Sequence, residues 1–173
     1  MSNVKSQISN MKKAVFLFVF IVAGLMASAQ LKSKSKCADF YVDLLDGKVN
    51  GMKPNYGYEE LKAKFPCFTS TDPESGSAKC GGTIAFKDHD ITFFTTKDYV
   101  EIGEKFKGKL SIPLIGAKRG SLFQYLGNPK MKDDTWDAYT TNYGVLIVYY
   151  NKANKINKIQ FSTNSTDTIS LCE

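Results

Sequence analysis

The chain has 173 residues, with 23 Lys+Arg against 17 Asp+Glu and a formal charge of +6. Removing residues 1–29, which read as an export signal, leaves 144 residues; Lys5, Lys12 and Lys13 go with them and no acid does, so the charge falls to +3. So small an excess is no nucleic-acid footprint, and 12 Phe, 9 Tyr and 1 Trp are too aromatic for a disordered chain. A chain of this length buries about two-thirds of its unfolded surface, enough for one ordinary core or two small ones side by side.

The export signal reads in three parts: Lys12 and Lys13, an unbroken apolar run over 14–27, and the small-x-small site Ala27-Ser28-Ala29. As a helix, the apolar run would cover only ~21 Å of a ~30 Å hydrocarbon layer, which argues against a membrane anchor. Met11, directly before the two lysines, is an alternative start. The nearest cysteine to the cleavage site is Cys37, so lipid attachment to a new N-terminal cysteine is not supported. The expected product is soluble, secreted or periplasmic, with no integral membrane segment after signal removal.

Four cysteines, Cys37, Cys67, Cys80 and Cys172, lie in the exported part, and an even number in an oxidising compartment predicts two disulfides. Of the three pairings, Cys67 with Cys80 closes a short Ser/Thr/Pro/Gly-rich loop and leaves Cys37 and Cys172 to tie the ends together. Zinc fits poorly, because no two cysteines are closer than 13 residues and His89 is the only histidine. No cofactor is expected.

In chain order, Phe40/Leu44 and Tyr41/Leu45 stack at i, i+4 ahead of Gly47 and predict a short helix over 39–46. A second helix is predicted over 58–65: Tyr58, Leu61 and Phe65 share a face, Glu59 and Glu60 open it, Lys62 and Lys64 close it, and Pro66 stops it. Strands follow over 83–87, 91–96 and 99–102, short, aromatic or β-branched, and separated by turn residues. A linking segment over 109–115 leads to a short helix over 121–126, ended by Gly127 and Pro129. Strands over 136–141, 143–150 and 155–163 complete the chain, the last two joined by the polar turn 151–154.

The order helix then strands thus occurs twice, which predicts an α+β fold of short helices packed on antiparallel sheet, as two tandem repeats over 30–106 and 107–173. A shift of 61 places Gly47-Lys48-Val49 on Gly108-Lys109-Leu110, Leu61 on Leu122 and Phe65 on Leu126. A shift of 62 places Gly82 on Gly144. A single α+β domain whose halves share an order of elements is the competing account.

Three segments of the second half, FQYLGNP (123–129), YGVLIVYY (143–150) and KINKIQF (155–161), carry a resemblance to the β-lactamase-inhibitor-like superfamily, which includes small outer-membrane-assembly lipoproteins. The resemblance covers about 40 residues well and implies a helical pair ending in Leu-Gly-x-Pro, packed on an antiparallel sheet with a central apolar hairpin. The chain differs from the assembly lipoproteins in lacking their lipid-attachment cysteine. It resembles the tandem-repeat inhibitors in having two units and a short-loop cysteine pair, Cys67 with Cys80, but no target-contacting residue carries over.

Catalytic signals are sparse. His89, in Lys87-Asp88-His89-Asp90, reads as a solvated hairpin tip without a nucleophile or orienting group beside it. Asp133, Asp134 and Asp137 read as a loop, although two of them could serve as an acid/base pair. Gly81-Gly82 reads as a tight turn into a strand, because no Lys-Ser/Thr or helix start follows. Lys105, Lys107 and Lys109 alternate as on a solvated edge strand; a one-sided basic strip would otherwise suit an acidic partner.

Aromatic residues give the stronger signal. Over 145–150, Val145, Ile147 and Tyr149 alternate with Leu146, Val148 and Tyr150, so neither sheet face is polar. If one face covers the helices, the other presents tyrosine with Trp136, Tyr139, Tyr143, Tyr150 and Phe94 as candidate partner-binding residues. Burial of both faces is the competing account. The expectation is a non-catalytic protein-binding module with a protein partner, such as an inhibitor or immunity protein, or alternatively an envelope structural or assembly module that binds membrane proteins or lipid.

Overall fold

The computed structural model describes residues 37–75 and 80–172. The export-signal reading of 1–29, the lysine and serine stretch that follows it, and part of the loop before Cys80 lie outside the described residues.

An eight-stranded antiparallel sheet organises these residues. Strands β3 (Ser70–Asp72), β4 (Thr83–Phe86), β5 (Ile91–Phe94) and β6 (Tyr99–Gly103) form one meander. Strands β8 (Met131–Lys132), β9 (Trp136–Thr141), β10 (Gly144–Tyr150) and β11 (Ile156–Ser162) form another. The two meet where β6 pairs antiparallel with β11, giving the order β3-β4-β5-β6-β11-β10-β9-β8. The fold is α+β, with mostly antiparallel sheet and few short helices.

Three further strands, β1 (Phe40–Asp43), β2 (Lys48–Val49) and β7 (Gly108–Leu110), form a small sheet in the order β2-β1-β7, where β1 is antiparallel to β2 and parallel to β7. Helix α1 (Tyr58–Lys64) buries Tyr58 and Leu61 against the core and carries its acids in the first turn and its lysines in the last. Helix α2 (Phe123–Leu126) is a single turn, preceded by a 3-10 turn over Arg119–Ser121.

The helix expected over 39–46 is instead β1 and a turn. Phe40, Val42 and Leu44 are buried while Tyr41 is exposed, so the segment also satisfies a period of two, and pairing with β2 and β7 decides between the two readings. The turn is closed locally: the Asp43 carboxylate accepts from the backbone N–H groups of Leu45 and Asp46 at 3.0 and 3.2 Å, and Gly47 takes φ +63°. A side chain at Gly47 would run into the ring of Tyr143. The segment expected to be only a linker supplies β7, an edge strand on which Lys109 is exposed, beside exposed Lys105 and Lys107. The Gly82–Gly144 correspondence does not match sheet position, since Gly82 precedes the second strand of one meander and Gly144 opens the third of the other.

The main core lies on the face of the large sheet that carries the small sheet and α1. Phe40, Phe65, Phe86 and Phe93 form one aromatic group with ring centroids 5.0–6.0 Å apart. That group also explains the disulfides, which are Cys37–Cys67 and Cys80–Cys172 rather than the pairs expected from loop length. Cys37 stands just before β1 and Cys67 just after α1; with the Phe40 and Phe65 rings 5.4 Å apart, their Cα atoms come to 5.2 Å. The second bridge fastens the C-terminal segment 163–172 across the other face, where the Cys172 N–H donates to the Tyr99 hydroxyl at 3.3 Å. Both bridges fit an oxidising compartment. Among the described residues no helix is long and apolar enough to cross a membrane.

Candidate functional site

The outer face of the large sheet, opposite the main core, differs from one end to the other. On β9 and β10 it is apolar: Ala138, Val145 and Ile147 are buried there, with half-buried Trp136 and Tyr149 beside them and Ile169 and Leu171 of the C-terminal segment laid over them. Tyr149 pairs across the strands with Trp136 on one side and Lys158 on the other. Between this C-terminal segment, a strap over residues 163–172, and the strands runs a groove of about 320 Å³, which adds Met131, 45% exposed, and Thr166 to that lining.

Toward the middle of the sheet the same face turns polar. The Tyr149 hydroxyl donates to Gln160 Oε1 at 2.7 Å, and Gln160 Nε2 donates to Glu101 Oε2 at 2.7 Å. Lys158 Nζ lies 4.0 Å from the Tyr149 ring centroid and 3.6 Å from Glu101 Oε2. These contacts fix the Tyr149 ring as one wall of the groove, a fixed aromatic wall beside an apolar floor.

The five aromatic residues expected to form one open face are divided between the two faces. Trp136 and Phe94 are on the outer face, and Phe94 stacks on Tyr99 with centroids 4.3 Å apart and planes 9° from parallel. Tyr139, Tyr143 and Tyr150 belong to the main core instead. The reason is strand parity: Tyr139 pairs with Leu146, whose face also carries Val148 and Tyr150, whereas Trp136 pairs with Tyr149. Tyr143 donates its hydroxyl to the Leu44 carbonyl at 3.0 Å, which ties the β1 turn to the β9–β10 hairpin, and burial raises its pKa.

A second polar cluster lies under the opposite side of β9. Arg119, the sole arginine in the chain, forms a bidentate pair with Asp137, donating from Nε to Oδ2 at 3.0 Å and from one terminal nitrogen to Oδ1. It also donates to the carbonyls of Asp133 at 2.7 Å and Asp134 at 3.3 Å, and its guanidinium lies 4.8 Å from the Tyr150 ring centroid. Asp137 is 1% exposed and accepts a further hydrogen bond from the Tyr150 hydroxyl at 2.7 Å.

These contacts move the acid–base behaviour of the cluster. The hydrogen bond to Asp137 raises the Arg119 pKa against the opposing effect of burial. Burial, then donation to Asp137, raises that of Tyr150; burial, then the Asp137 charge, raises that of Tyr139. The acidic trio therefore splits: Asp133 is in the turn before β9, where it accepts from the Thr135 backbone at 3.2 Å, whereas Asp137 is a buried strand residue.

His89 sits in the β4–β5 turn, as its flanking residues imply, but its ring packs edge-on against Phe40 at 5.1 Å, so it is no solvated tip. Gly82 takes φ +76° at the entry to β4, the tight turn read from Gly81-Gly82. All four cysteines are held in the two disulfides.

Comparison of the chain with protein-family models, curated proteins and solved structures finds no match.

Sequence reasoning missed Arg119, Tyr149 and Met131. A single arginine among 22 lysines was a usable signal for the first, since lysine cannot replace a bidentate guanidinium. The other two depend on the register of β9 against its neighbours and on where the C-terminal segment runs.

Proposed function

We propose that the chain is an exported, non-catalytic protein-binding module, of the inhibitor or immunity-protein kind, that engages its partner through the outer face of the large sheet. One observation carries this reading: Trp136 and Tyr149, cross-strand neighbours, flank a groove with a buried aliphatic floor. Trp and Tyr are enriched among the few residues that dominate protein interfaces, where they fill desolvated pockets. A groove of about 320 Å³ is at the small end of ligand-sized pockets and suits one apolar side chain of a partner.

The three-part signal and the two disulfides support secretion or a periplasmic location. The mirrored sheet order, in which each half supplies a helix and then four strands, supports two tandem repeats and a relationship to the β-lactamase-inhibitor-like superfamily. The exposed lysines 105, 107 and 109 favour the second reading, an envelope module at an acidic membrane surface.

Affinity capture from the exported fraction, with the wild-type chain and Trp136→Ala side by side, tests the first reading. A partner retained by the wild type and weakened by about 2 kcal/mol or more in a Trp136→Ala variant of equal stability supports it. A partner bound equally by both refutes it.

A further inference from the structure

A cavity of about 700 Å³ opens beside α2, on the side of β9 opposite Trp136, and its lining includes Lys118, Phe123, Asn128, Lys132 and Asn154. We propose that it is a binding site for an acidic sugar, a saccharide ring that carries a carboxylate.

Two anomalies meet in this cavity. Phe123 is 67% exposed, the most exposed of the large hydrophobic residues among those described, while Asp137 is a buried charged residue in the lining, beside the core residue Tyr139. A single exposed aromatic is ordinary by itself; here it shares a cavity lining with a buried charged residue, which is the informative feature. The floor is hydrogen-bonded and electrically neutral: Arg119 offsets the charge of Asp137, Tyr150 donates to the Asp137 carboxylate, and Arg119 also donates to the carbonyls of Asp133 and Asp134. Arg119 and Tyr139 in the lining, and Tyr150 next to Arg119, have raised pKa values whose causes are burial and the Asp137 carboxylate, which keep the floor in this one protonation state.

The uncompensated charge in the lining is thus that of Lys118 and Lys132, both exposed and neither in an ion pair among the described residues. Two ammonium groups call for an anion. Phe123 presents a ring face of negative quadrupole, which attracts the C–H groups on the apolar face of a sugar. The amides of Asn128 and Asn154 each offer two donors and an acceptor, matched to hydroxyl groups. A neutral sugar leaves the ammonium groups unmatched, and an inorganic anion leaves Phe123 and the amides unused. The cavity has room for more than one ring, which suits an oligosaccharide.

The test is calorimetric titration of the full oxidised chain with a glucuronate tetrasaccharide, a neutral glucose tetrasaccharide and inorganic phosphate. The expected result is saturable binding of the glucuronate oligomer, weakened at least about tenfold by Phe123→Ala and by Lys118→Glu/Lys132→Glu, with the neutral oligomer at least about tenfold weaker. The altered side chains are exposed, so unfolding midpoints should stay at the wild-type value. As a check that needs no variant, the side-chain amide resonances of Asn128 and Asn154 should shift as the wild-type chain is titrated. Absence of saturable binding, unchanged affinity in both variants, unmoved amide resonances, or phosphate competing as well as the glucuronate oligomer would each overturn the proposal.

Discussion

The Arg119–Asp137 pair lends itself to a double-mutant cycle whose outcome the geometry fixes. The two side chains are unequally buried: that of Asp137 is 2% exposed and that of Arg119 is 26% exposed. Arg119→Met therefore strands a carboxylate in the protein with the Tyr150 hydroxyl as its remaining side-chain donor, and should destabilise by about 3–5 kcal/mol, the usual range for a broken buried pair. Asp137→Leu leaves a guanidinium that can turn partly to water while keeping its carbonyl contacts, and should cost about 1–3 kcal/mol. Replacing both removes both charges and leaves the Tyr150 hydroxyl as the main loss, so the double variant should fall within about 1–2 kcal/mol of wild type. The two single effects together then exceed the double by about 2 kcal/mol or more, far outside the roughly 0.5 kcal/mol of independent sites. Urea unfolding of the four proteins with disulfides intact measures this, provided the denaturant slope stays constant across the set. Additive effects, or a larger loss from Asp137→Leu than from Arg119→Met, would refute the reasoning.

The other expectations concern pH and the C-terminal segment. Tyr139, Tyr143 and Tyr150 each have a folded pKa raised above the unfolded value of about 10, so above that pH the folded state holds protons the unfolded chain has lost. Their contribution is complete below pH ~10 and falls by up to about 1.4 kcal/mol per pH unit per tyrosine above it; tyrosinate absorbance from these three should appear together with unfolding and not before. Unreduced peptide mapping should return Cys37–Cys67 and Cys80–Cys172. In Cys80→Ser/Cys172→Ser, the segment 163–172 keeps two half-buried aliphatic side chains, Ile169 and Leu171, to offset the ordering of its backbone at about 1–2 kcal/mol per residue. It should detach, with fast amide exchange at Ile169 and Leu171 and red-shifted Trp136 emission while β10 and β11 stay protected; protection equal to wild type would show that the segment holds by itself.

The parts of the fold that were legible in the sequence are those where local chemistry and tertiary packing agree. Helix α1 has its apolar face, its charged ends and its terminating proline all pointing one way, and the structure places it within a residue of the expected span. Strands β4–β6 and β9–β11 are marked by alternation and turn residues, and each was found with its ends displaced by at most two residues. Segment 39–46 carried two valid periods at once, and only the pairing of β1 with distant β7 selects between them. The disulfides failed for a related reason: loop length ranks pairings by local closure, whereas the Phe40–Phe65 contact brings Cys37 to Cys67.

The candidate interface shows how much was already implied by strand parity. Trp136 and Tyr139 are three residues apart on β9, and in a regular strand an odd separation puts two side chains on opposite faces. Grouping them on one surface was therefore incompatible with the strand expected over 136–141. With parity applied, Tyr139 goes with the buried face and Trp136 with the outer one, and the antiparallel register sets Tyr149 opposite Trp136. What parity cannot supply is the depth of cover on each face. Tyr150 is enclosed because Arg119 arrives from the segment before α2, and Trp136 stays half-open because the strap lays Ile169 and Leu171 over that part of the face yet leaves a groove between itself and the strands. Both are long-range events fixed by an ion pair and a disulfide, and between them they separate a tyrosine enclosed in the core from a tryptophan left half-open at the groove.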